Sequence, residues 1–195
     1  MAMTPEGEVL ARLLRDTVTQ PAQVARLILG RKLPTDALWT GLVLVTVLSV
    51  LMVAIMGALV PSSPEAMAAT VRITPFTYAV ILGGSLVITI FALHFTGQML
   101  GGQGALADTL ALMVWLQVLL LVLQVAQLIV SLILPGLGSL VAIATLAVAL
   151  WVLVNFINEA QRFGSLPRAA LTLILALLGV GLGLSVLLGI IGASV

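Results

Sequence analysis

The run from Thr109 to Asn158 contains no ionisable side chain. As one helix it would be about 75 Å long, at roughly 1.5 Å per residue. The hydrocarbon core of a bilayer is about 30 Å thick and takes about 20 helical residues. The run must therefore cross a membrane twice. Pro135-Gly136 stands near its middle and marks the turn, because proline lacks an N–H and glycine accepts tight backbone geometry.

The whole chain has the same character. It is 62% hydrophobic and 8% charged, whereas soluble domains carry about 25% charged residues. A water-soluble fold of 195 residues has too little interior to hide such side chains. The net charge of +1 argues against a nucleic-acid surface, which needs clustered Lys and Arg. The chain has no cysteine, which excludes disulfides, iron–sulfur centres and thiolate nucleophiles.

Five crossings are expected: Leu38–Val60, closed by Pro61 and Pro64; Pro75–Thr96, closed by the Gly97–Gly104 loop; Thr109–Leu134; Leu137–Asn158; and Arg168–Gly192. Each is long enough for the hydrocarbon core. Helices are the only suitable form, since a helix satisfies its own backbone groups in lipid and these runs lack the alternation of a barrel strand. The expected fold class is all-α, a polytopic membrane helix bundle. Residues 1–37 form an amphipathic interfacial segment and residues 38–195 the five-helix domain. The apolar run begins too late for a secretory signal, so the first span is read as retained.

Charge sets the expected orientation. Arg12, Arg15, Arg26, Arg31 and Lys32 precede the first span, Arg72 follows it, and Arg162 and Arg168 precede the fifth. With the N-terminus in the cytoplasm, only Arg72 lies outside, as the positive-inside rule favours. The C-terminus then faces out, and the expected location is a bacterial inner membrane.

In the N-terminal segment Val9, Leu10, Leu13 and Leu14 recur at helical spacing, with Arg12, Arg15 and Asp16 on the complementary arc. That pattern suits an interfacial helix. Pro21 suits the start of a second short helix, with Val24, Leu27 and Ile28 as its apolar face and Gly30 at its end. The pair is expected to tile the cytoplasmic side of the bundle.

Polar groups in apolar spans are costly and face the protein interior. Gln117 and Gln124, seven residues apart, share a helical face, and Gln127 borders it. This stripe suits interhelical hydrogen bonding; its other reading is a polar cavity. A second group gathers at the cytoplasmic ends: His94 and Gln98 close the second span, Asp108 opens the third, Asn155, Asn158, Glu159 and Arg162 close the fourth, and Arg168 opens the fifth. Asp108 is expected to cap the third span, and Glu159 to pair locally with Arg162. The group is read as an interfacial polar network, with lipid-headgroup or partner binding as its functional form. One His without a HExxH motif or a second imidazole supplies no expected metal site, and His94 has no hydrolase signature around it. No cofactor is expected. In the fifth span Gly181, Ser185, Gly189 and Ala193 fall at strict i, i+4 spacing, a small-residue face for helix packing inside the bundle or across a homodimer.

Taken together, the Thr19-Gln20-Pro21 turn after an amphipathic head, the five spans, the segment Gly101-Gly102-Gln103-Gly104-Ala105-Leu106-Ala107-Asp108 and the polar end Asn155-Phe156-Ile157-Asn158-Glu159 resemble a bacterial member of the Yip1 family. The resemblance covers nearly the whole chain. It implies a five-helix membrane protein with a cytoplasmic N-terminus. Eukaryotic members act in vesicle trafficking, bind prenylated Rab-type GTPases and have longer cytoplasmic N-termini, so that role is not carried over.

The expected function is a non-enzymatic integral membrane protein that organises lipids or partner proteins at the cytoplasmic face. Its partners would be membrane lipids and a second copy or another membrane protein, with no nucleic acid. The alternative is a small transporter or channel with a polar pathway along the third span.

Overall fold

The computed structural model describes residues 5–59 and 74–193. Pro61, Pro64 and Arg72, on which the reading of the first loop rests, lie outside them. Seven α-helices occur among the described residues: α1 (Pro5–Thr19), α2 (Pro21–Gly30), α3 (Thr35–Leu59), α4 (Pro75–Met99), α5 (Leu106–Ile133), α6 (Gly138–Gln161) and α7 (Leu166–Ala193). The last five are long and apolar enough to cross a membrane, so the chain is an all-α integral membrane bundle. Their bounds fall within about a turn of those expected, because proline, glycine and charge end a membrane helix sharply. A short 3-10 turn, Pro135–Leu137, reverses the chain between α5 and α6.

Helix α5 is central and packs against α3, α4, α6 and α2; α7 closes the bundle against α4 and α6. Lipid tails are as apolar as leucine, so these helices are held by close packing and not by escape from water. Small residues permit it. A Cβ on Gly41 of α3 would lie 3.3 Å from Val114 of α5, and one on Gly83 of α4 would lie 3.4 Å from Thr46 of α3. Leu38, Leu42, Val45 and Ser49 form the buried stripe of α3, while Val43, Leu44, Val47, Leu48 and Leu51 are exposed on its outer side. That side is the lipid-facing surface of a membrane helix. The hydroxyls of Thr46 and Thr172 donate to Leu42 and Arg168 carbonyls one turn back, which lets them sit in apolar surroundings.

The N-terminal pair is more deeply seated than two helices lying on a surface. Helix α2 packs against α6 and α5, and Ala25 is 0% exposed. Thr17, at the end of α1, is also fully buried. Its hydroxyl donates to the Leu13 carbonyl at 2.6 Å and accepts from the Trp115 indole N–H at 2.9 Å. Trp115 lies more than two turns inside α5, although its side chain leans back toward the start of that helix. Val9 and Leu10 remain exposed, so α1 keeps an outward apolar edge.

Candidate functional site

The ends of α4 and α6 and the starts of α3, α5 and α7 meet at one end of the bundle, together with α2. Its least expected member is Gln161, the last residue of α6, which is only 1% exposed. The turn after α4 wraps around it. Gly102 N–H donates to the Gly97 carbonyl at 2.9 Å, and Gln103 N–H donates to the Gln161 carbonyl at 2.9 Å. Side chains on this turn would collide with α6. A Cβ on Gly97 would stand 2.6 Å from Cδ of Gln161, and one on Gly104 would run into the Ala160 carbonyl oxygen. The glycine-rich segment is therefore a clamp on the end of α6. The Gln161 amide Nε2 donates to Thr109 Oγ1 at 3.4 Å, a long bond, and Oε1 has no partner among the described residues.

Two ion pairs flank the clamp. Asp108 caps α5 as expected, its Oδ2 accepting from Ala105 N–H at 3.2 Å. Arg162 reaches the same oxygen at 3.8 Å. Glu159 accepts from Arg26 Nε at 3.2 Å and Nη2 at 3.4 Å, which ties α6 to α2. The expected local pair of Glu159 with Arg162 is thus replaced by two longer-range pairs. The cause is backbone geometry: Arg162 is the C-cap of α6 with φ 57° and ψ 38°, so it has left the helix on which i, i+3 neighbours meet.

The remaining predicted residues have mixed placements. Asn158 joins the network, its Oδ1 accepting from Ser165 N–H at 2.8 Å and so fixing the turn into α7. Asn155 is buried but donates only to the Trp151 carbonyl of its own helix, at 2.9 Å. His94 is buried, its ring tilted against Phe95, and its Nδ1 has no partner among the described residues. Gln98 and Arg168 are exposed. Gln117, Gln124 and Gln127 are half-buried and line none of the bundle's principal cavities. Gly181 and Ser185 are exposed, and among the described residues no neighbouring atom stands within 4 Å of a Cβ built on Gly181. The surroundings of Gly189 and Ala193 lie outside the described residues.

Sequence reasoning missed Thr17, Arg26, Gln161 and Lys32 as members of this end. The glycines at 97, 102 and 104 were the available signal for Gln161, since close approach needs a residue to approach. A cavity of about 190 Å³ with a mixed lining lies between α2, α3 and α5, with Lys32 and Asp108 as its charged residues. A larger groove, about 870 Å³ and mostly apolar, runs between α4 and α7 past Gly84, Phe95 and Gly179. Chemically, the polar end offers guanidinium, ammonium and carboxylate groups fixed at the depth where spans begin. Such groups suit phosphate, ammonium or carboxylate partners.

No match was found among curated proteins or solved structures. The Yip1 domain, in contrast, matches residues 15–188. The match begins inside α1 and so includes the docked helix α2 and all five apolar helices. The chain belongs to the Yip1 family.

Proposed function

We propose that this Yip1-family protein is non-enzymatic and organises lipids or partner proteins at the cytoplasmic face of a bacterial inner membrane. Its N-terminus lies in the cytoplasm and its C-terminus outside, the arrangement that places Arg12, Arg15, Arg26, Arg31, Lys32, Arg162 and Arg168 on the inner side. The observation that carries this reading is the docking of α2. Arg26 bonded to Glu159 and Thr17 bonded to Trp115 make the N-terminal helices part of the bundle. The basic residues around them then share one surface at headgroup depth, where an unpaired Lys or Arg contributes about 1 kcal/mol of attraction to anionic lipid and those paired with Glu8, Asp108 or Glu159 contribute less.

Packing is the role supported for the glutamine stripe, because Gln117, Gln124 and Gln127 lie outside the principal cavities. The test is retained lipid. Neutralising Arg162 and Arg168 together, as Arg162→Gln and Arg168→Gln, is expected to lower the acidic phospholipid that co-purifies with the protein. Unchanged lipid content would remove the basis of the lipid reading.

A further inference from the structure

Two non-glycine residues among the described ones hold a left-handed backbone, Lys32 at φ 43° and Arg162 at φ 57°. Both are basic, and both border Asp108. Arg162 pairs with its carboxylate at 3.8 Å, while Lys32 and Asp108 line the same cavity. Elsewhere the chain places glycine at positive φ, at Gly101 and Gly164. Both residues end a helix, α2 and α6, where the left-handed conformation is a common termination, and a lysine there gives up free energy that glycine would keep.

The cavity measures about 190 Å³. A single water needs about 10–15 Å³ on this measure, so the space holds on the order of ten water-sized groups. That is room for a headgroup and not for lipid tails. Ile28, Leu29, Leu38 and Ala111 supply its apolar wall, and Lys32 and Asp108 its charged groups. One ammonium and one carboxylate line the space, and Arg162 reaches that carboxylate from outside the lining. A purely anionic group would meet Asp108, and a simple cation would meet Lys32. A zwitterion carrying a phosphate and a primary ammonium answers both. Asp108 keeps acceptor capacity for the ammonium, since a carboxylate offers about four lone-pair sites and its partners within the protein are Ala105 N–H and Arg162.

We propose that this cavity binds the headgroup of an aminophospholipid, with its phosphate on Lys32 and its ammonium on Asp108. The assignment rests on the lipid-organising reading and narrows it to one lipid class. It is tested with the full chain in nanodiscs of equimolar phosphatidylethanolamine, phosphatidylcholine and phosphatidylglycerol, with the lipids retained after transfer to detergent identified by native mass spectrometry. Phosphatidylethanolamine is expected to be enriched on the order of five-fold, the scale of one partly exposed charged contact. Lys32→Gly suits the backbone at that position, so it should keep the fold, shown by an unfolding temperature that holds or rises, and abolish the enrichment. Asp108→Asn keeps an acceptor for Ala105 N–H and should shift the preference to phosphatidylglycerol. Equal retention of the three lipids, or undiminished enrichment in Lys32→Gly, overturns the assignment. Binding of soluble phosphoethanolamine without any enrichment of phosphatidylethanolamine also overturns it, because the site would then serve a free zwitterion. If the Arg162 and Arg168 substitutions lower total phospholipid while Lys32→Gly changes nothing, the wider lipid reading stands and this site falls.

Discussion

The indole N–H of Trp115 donates to the hydroxyl of Thr17 across 2.9 Å, linking residues 98 positions apart. Thr17 is fully buried and Trp115 belongs to the central helix α5. The bond is therefore one of the contacts that hold the N-terminal helices to the bundle, beside the buried face of α2 and the Arg26–Glu159 pair. Thr17→Val keeps the shape and removes the acceptor. The indole N–H is then left without its partner, at a cost of about 1–3 kcal/mol. Thermal unfolding in detergent should report that loss, accompanied by faster hydrogen exchange in α1 and α2. Thr17→Ser, which restores the hydroxyl, should recover most of the slow exchange.

The glycine clamp makes a position-specific prediction. Gly104→Ala forces a methyl group into the Ala160 carbonyl, and overpacking of this kind costs about 1–3 kcal/mol or more. Gly84→Ala meets nothing within 4 Å and lies inside α4, where alanine gains about 1 kcal/mol of helix propensity over glycine. The first variant should lower the unfolding temperature and the second should hold or raise it. Similar behaviour of the two would deny that the turn grips α6.

Arg26 and Glu159 form the ionic tie between α2 and α6. Their side chains are 66% and 19% exposed, so solvent screens much of the attraction. A double-mutant cycle with Arg26→Gln and Glu159→Gln should give a coupling of about 0.2–1 kcal/mol. The coupling should shrink as salt shortens the Debye length. A coupling of several kcal/mol would mean that the pair is far more desolvated than its exposure indicates.

Much of this architecture was legible before the structure. Span bounds followed from Pro75, Pro135 and the charges at Asp108 and Arg162, because lipid tolerates few ways to end a helix. The capping role of Asp108 was legible for the same local reason. Docking of α2 was not, since the residues that bury it, Thr17, Pro21, Val24 and Ala25, are small or weakly apolar and fit a surface helix equally well. Long-range partners were also hidden. The pairing of Glu159 with Arg26 depends on how α2 crosses α6, and the release of Arg162 toward Asp108 depends on one left-handed cap. Nothing in its own stretch of sequence distinguishes Gln161. Only the enclosing glycines set it apart, and their meaning requires knowing which two segments touch.

Gln124 separates packing from conduction energetically. Its Oε1 is buried and without a protein partner, and interhelical hydrogen bonds in membranes average only about 0.6 kcal/mol. Gln124→Leu should therefore leave the unfolding temperature unchanged or raise it slightly. A large loss of stability would show that Gln124 holds a polar network that the packing reading omits.

The most direct test of a dry bundle that works through its polar end is flux across proteoliposomes containing the wild-type protein. Measured with small ions and neutral solutes, leakage should equal that of protein-free vesicles, and Gln124→Leu should change nothing. Solute or ion flux above that background, abolished by Gln124→Leu, would contradict the account and establish a pathway along α5.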